Sequence, residues 1–150
     1  MKIQFALLIT LLCGVNFIET SLQDRQEIFE RVRRYIEEKE PAWKLDRKED
    51  LNDGQVFHWK SDKQRATVSI VTFSSEDETK SHLLKNVNRV PVAYKSKIDD
   101  LGDEAFFYQS VGSRRCMLLI RKGTVFIQVN ADECADAEKF AKYIITRIDE

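Results

Sequence analysis

The sequence predicts an α+β fold, a mainly antiparallel sheet of about five or six strands with helices packed on one face, in the order α-β-β-α-β-β-β-α. Apolar residues at helical spacing stop at a proline in the first third of the chain. Runs rich in β-branched and aromatic residues follow, joined by connections of hairpin length. A Ser-x-x-Glu signature then opens a second helix between two such groups of strands.

From Ser21 to Glu40, Ile28, Val32, Tyr35 and Ile36 recur at helical spacing, with arginines and glutamates on the other faces, and Pro41 ends the helix. Those charges read as a solvated face with pairs such as Glu30–Arg34. Gln55–Lys60 and Ala66–Phe73 read as strands around the polar turn Ser61–Arg65. Ser75 and Glu78 form a capping box for a helix running to about Asn88, with Leu83, Leu84 and Val87 as its apolar stripe. Glu104–Ser110 and Arg114–Arg121 are strands around Gly112, followed by Val125–Val129 and a last helix from about Asp132 to Asp149. Phe57–Ser61 and Phe106–Ser110 are alike, and Arg65 and Arg114 lie equally far beyond them, which suggests a duplicated strand–strand–helix unit.

The chain has 150 residues, 43% of them hydrophobic, nine of them Phe and two Trp, enough for one core without metals. Met1-Lys2 followed by the apolar run Phe5–Val15 has the anatomy of a secretory signal peptide, and it is shorter than the about 20 residues a membrane-spanning helix needs. The expected division is therefore a signal peptide over 1–20, cleaved somewhere between Gly14 and Gln23, and a single domain over 21–150. Leu12 stands before Cys13 where a lipid-accepting cysteine normally follows a small residue, so a cleaved, exported form is expected, periplasmic or secreted, with no lipid anchor at Cys13 and no membrane span. A near-neutral balance of 24 Lys and Arg against 25 Asp and Glu argues against nucleic acid and against a polybasic membrane-surface role.

Export gives the cysteines their meaning. Without the leader, Cys116 and Cys134 remain, an even pair in an oxidising compartment. If Arg121 and Thr124 close the last hairpin, position i faces 245 − i and Cys116 lies opposite Val129. Cys116, Leu118, Ile120, Val125, Ile127 and Val129 then share one face, and Cys134, Ala137, Ala141, Ile144 and Ile148 form the inner stripe of the last helix. Both sulfurs point into one layer at one end of the sheet, which favours a Cys116–Cys134 disulfide over two buried free thiols.

Asp99, Asp100, Asp103 and Glu104 crowd around Gly102 and could gather a hard cation. Their spacing does not follow the twelve-residue calcium loop, however, and Asp and Gly are what a tight turn needs, so the turn reading is preferred. His58 and His82 show no zinc-ligand spacing, and no nucleophile elbow or phosphate loop is present, so no cofactor is expected. Phe57, Trp59, Phe106, Phe107 and Tyr108 exceed what a minimal core needs, and neighbours such as Phe106 and Phe107 must face opposite sides of a regular strand. They form a candidate binding surface unless the first helix covers them.

Ile98–Phe107, with its Gly-Asp-Glu-Ala-aromatic strand start, then Leu118–Ile127 with Arg-Lys-Gly at the hairpin tip, then a terminal helix, resemble a recurrent pattern in small exported bacterial proteins. The resemblance runs from about Ala66 to the C-terminus and implies fold and location, with residues that read as structural. Many of those proteins are lipoproteins or periplasmic proteins without an assigned function. The functional expectation is a non-catalytic binding or interaction module for an unknown protein or small-molecule ligand. Its alternatives are a small metal-dependent hydrolase and a secreted inhibitor of a partner enzyme.

Overall fold

A computed structural model describes residues 24–91 and 94–148; the expected leader over 1–20 and Cys13 lie outside the described residues. Helix α1 spans 24–39. It is followed by β1 (Lys44–Leu51), β2 (Gly54–Lys60), β3 (Arg65–Thr72), α2 (Glu76–Val87), β4 (Lys95–Ile98), β5 (Glu104–Gln109), β6 (Cys116–Lys122), β7 (Val125–Ala131) and α3 (Cys134–Ile148). All strands join one antiparallel sheet in the order β1-β2-β3-β7-β6-β5-β4. The α+β antiparallel architecture is as expected, with seven strands.

The two unexpected strands are the two edges. β1 is Lys-Leu-Asp-Arg-Lys-Glu-Asp-Leu, almost wholly exposed, and β4 is the four-residue Lys-Ser-Lys-Ile. Charge and brevity blunt open edges against pairing with other chains, and the same features hide a strand from hydrophobic patterning. β1 is held by the tight turn that pairs Leu51 with Gly54. A Cβ at Gly54 would lie 2.2 Å from the Ile70 carbonyl oxygen, so only glycine lets β2 approach β3 at this point.

α1 and α3 cover one face. Phe29, Val32 and Ile36 from α1 and Ala137, Phe140, Ala141 and Ile144 from α3 bury Phe57, Trp59, Val68, Ile70, Leu118, Ile120, Ile127 and Val129. The helices are clasped by Glu40, which accepts from the Tyr143 hydroxyl at 2.9 Å and the Lys139 ammonium at 3.0 Å. α2 packs on the opposite face, setting Leu83 and Val87 against Tyr108, Leu119 and Phe126. The helices thus lie two on one side and one on the other rather than on one face. The cause is local: Leu118, Leu119 and Ile120 are consecutive and all buried, so β6 must be covered on both sides.

That parity also removes the expected duplication. Phe57 faces the layer of α1 and α3, whereas Phe106 faces the layer of α2. At the start of α2, Ser75 accepts from the Glu78 amide at 3.2 Å as a capping box requires, but the Glu78 carboxylate reaches Ser74, one residue farther back. Thr79 is buried in the inner stripe where Leu84 was expected, and Leu84 is exposed.

The last hairpin closes one pair farther out than expected. Lys122 faces Val125, so Cys116 lies opposite Ala131 instead of Val129. Gly123 takes φ +54°, the left-handed residue that a two-residue hairpin uses. A shift of two preserves facing, so the expected apolar set stays together and Cys116 and Cys134 meet in a disulfide. Among the described residues no helix is long and apolar enough to cross a membrane.

Candidate ligand-binding groove

On the side of α2, cross-strand pairing aligns side chains in rows. One row crosses every strand: Arg47, His58, Thr67, Asn130, Met117, Tyr108 and Lys95. α2 lies over β6 and β7 and ends at Val87, and the chain then turns away through Val90 and Pro91 to Tyr94. The space left beside it is a groove of about 720 Å³. Thr67, Asn130, Met117 and Tyr108 form its floor, and Val90, Pro91 and Tyr94 its apolar wall. Arg65, Arg115 and Asp132 stand at its other end, where β3 and β6 begin and β7 finishes.

The polar groups of this groove differ in how far they are engaged. Asp132 accepts from the Arg65 backbone amide at 2.9 Å through one oxygen and from the Arg115 guanidinium at 3.1 Å through the other. The Arg65 guanidinium has no hydrogen bond or ion pair among the described residues. Neither has the half-buried side-chain amide of Asn130. Tyr108 is 4% exposed, and its hydroxyl has no partner among the described residues. Burial raises the pKa of that phenol, so it remains a donor at neutral pH. A buried hydroxyl without a partner is costly, and its position in the lining of a groove makes it available to a bound group.

Beside the groove, His58 links two neighbours. Its Nδ1 lies 3.2 Å from the Thr67 hydroxyl and its Nε2 3.1 Å from the Glu49 carboxylate, with the Arg47 guanidinium 3.3 Å from the same Nε2. An Nε2–H tautomer would donate to Glu49 and accept from the Thr67 hydroxyl at Nδ1, and Arg47 pairs with the same carboxylate at 2.6 Å. The backbone N–H groups around it belong to the sheet ladders.

The aromatic residues expected at a surface divide between the two layers. Phe57 and Trp59 are buried beneath α1 and α3, and Phe107 packs against the same core. Phe106 and Tyr108 belong to the smaller cluster under α2. Of the five, Tyr108 alone lines the groove. Cys116 lines it too, and its disulfide fixes the start of β6 to the start of α3.

The acidic turn is assembled differently from a metal site. The Asp103 carboxylate accepts from the Gly123 amide at 2.6 Å and the Arg121 guanidinium at 3.2 Å, and Lys122 lies 3.8 Å away. Arg121 also lies 3.7 Å from Glu104. Asp99 and Asp100 are exposed and without ion pairs among the described residues. Among the described residues no three or more His, Cys, Asp or Glu side chains are placed to hold a metal ion. His82 sits between the rings of Phe73 and Phe126, and burial lowers its pKa.

Arg65, Asn130, Met117 and the Val90–Pro91 wall were not singled out for a site from the sequence. They meet only through register and through the exit of α2, and the signal that would find them is a cross-strand row, which needs the pairing first.

No family model matches the sequence, and neither does any curated protein. Among solved structures, a GTP-binding regulator from Thermotoga maritima superposes with a TM-score of 0.57 at 14% identity, over 77% of this chain and 82% of that chain. The likeness is one of fold.

Proposed function

We propose that this protein is an exported, non-catalytic binding module and that the groove beside α2 is its ligand site. The observation that carries this reading is the Tyr108 hydroxyl, buried in the groove lining without a partner among the described residues, while Asn130, beyond Met117 in the same row, also has an unengaged amide. The disulfide supports the export part, because such bonds persist in oxidising compartments. The metal-dependent alternative loses support at Asp103 and Glu104, which face Arg121 and the hairpin tip.

A screen of small-molecule mixtures against isotope-labelled protein tests the reading. Ligands are expected to shift the amide signals of Thr67, Tyr108, Met117 and Asn130 together. Ligand-induced shifts confined to β1 and β2, or no ligand at all from a broad screen, would overturn it. Export is tested separately by expressing the full chain in a bacterial host and finding it, shortened at its N-terminus, outside the cytoplasm. Retention at full length in the cytoplasm would count against export.

A further inference from the structure

The groove is chemically polarised along its length. Its lining carries Arg65, Arg115 and Asp132 as charged groups, two positive against one negative, in a chain whose net charge is −1. All three lie at the end formed by β3, β7 and β6, where Asp132 already holds Arg115 and leaves Arg65 unpaired. The opposite end, over β5, is the apolar wall with Tyr94. From β3 to β5 is three strand spacings, about 14 Å at the usual inter-strand distance. Asn130 on β7 and Tyr108 on β5, separated by Met117 of β6, offer an amide and a phenol to a polar group of the occupant.

We propose that the groove selects elongated amphipathic carboxylates that carry one internal amide or hydroxyl. The carboxylate faces the Arg65 guanidinium, the internal polar group meets Asn130 and the Tyr108 hydroxyl, and the apolar tail lies against Val90, Pro91 and Tyr94. This inference rests on the groove being the ligand site and adds the chemistry of what it takes. The matching features are a guanidinium without a hydrogen bond or ion pair among the described residues, unengaged polar groups on β7 and β5, and a ligand length set by the strand spacing. A free amino-terminal or quaternary-ammonium amphiphile of the same length would meet the wrong charge.

The probe is N-octanoylglycine, which has a carboxylate, one amide and an apolar tail over a similar length. Its methyl ester keeps everything but the charge, and octylamine reverses it. Calorimetric titration of the purified protein is expected to show the acid binding about tenfold more tightly than the ester, with octylamine not competing. Arg65→Gln is expected to bring the acid down to the affinity of the ester and to leave the ester unchanged. Tyr108→Phe is expected to weaken acid and ester alike, by about threefold to tenfold, since it removes the hydroxyl common to both modes. Equal affinity for acid and ester in the unaltered protein would overturn the selection for a carboxylate and leave the groove as a site. An Arg65→Gln variant that retains the preference would overturn the role of Arg65. If none of the three probes binds, the ligand class proposed here is wrong; the binding-module reading then stands or falls on whether the mixture screen shifts the groove amides.

Discussion

The two ends of the β5–β6 ladder are made from similar kinds of residue and are finished in opposite ways. At one end Asp103, Glu104, Arg121 and Gly123 satisfy one another, so the turn before β5 and the tip of the β6–β7 hairpin form one bonded unit. Gly102 is part of it: its φ is +70°, and a Cβ there would lie 2.7 Å from the Arg121 carbonyl oxygen. At the other end Tyr108, Asn130 and the Arg65 guanidinium have no protein partners among the described residues. Polar groups that complete each other hold a fold together. Polar groups that stay incomplete beside an apolar wall are what a ligand can complete.

Substitutions should separate these two ends. Gly102→Ala is expected to lower unfolding free energy by about 4 kcal/mol, since strain at positive φ adds to a backbone clash. Gly112 has φ +77° but nothing within 4 Å of where a Cβ would stand, so Gly112→Ala should cost only about 1 kcal/mol, from strain alone. Equal losses in urea titrations of the two variants would remove the bonded unit from the comparison. Replacing both Cys116 and Cys134 by Ala is expected to cost about 3 kcal/mol in the same titration, and a reductant should cost the unaltered protein as much while leaving the variant unchanged.

Asp103→Asn should lose about 1.5 kcal/mol, because the amide side chain cannot serve Arg121 and the Gly123 N–H as a carboxylate does. Tyr108→Phe should leave the melting temperature level or raise it slightly, although it sits deeper in the molecule. Removing a hydroxyl that has no partner costs nothing in the free protein. A marked loss of stability in this variant would mean that the hydroxyl is engaged, and the contrast between the two ends would fail.

The smallest effect is one of pH. His82 has its pKa lowered by burial first and by Lys85 and Arg89 second, so the unfolded chain takes up its proton before the folded one. Its contribution to stability is therefore fully present above the unfolded value of about 6.5 and diminishes as pH falls through that value toward the lower folded pKa. Urea midpoints measured at pH 7.5 and 5.5 should differ less in His82→Phe than in the unaltered protein. An unchanged difference would show that His82 does not contribute.

Most of the fold was legible because the interior strands advertise themselves. β3, β6 and β7 are rich in β-branched and apolar residues, and their facing follows from parity even when the hairpin register is off by one pair. Parity alone brought Cys116 and Cys134 together. β1 and β4 escaped notice because an edge is protected by the charges that erase the pattern. Phe57 and Trp59 were candidates for a surface because the aromatics outnumber what a minimal core needs, and they are core because α1 and α3 cover their face of the sheet. The groove was illegible for a different reason. Its residues come from four strands and three connections, so no stretch of sequence contains it.

The disulfide has a consequence for proteolysis. Cys116 and Cys134 stand 18 residues apart and enclose the whole β6–β7 hairpin, including its tip at Gly123. A protease that cuts this tip produces two fragments that remain covalently joined and migrate as one chain until a reductant is added. Nicking at this turn is thus silent in size under oxidising conditions, and the cut chain keeps β6 and β7, which supply Met117 and Asn130 to the floor of the groove.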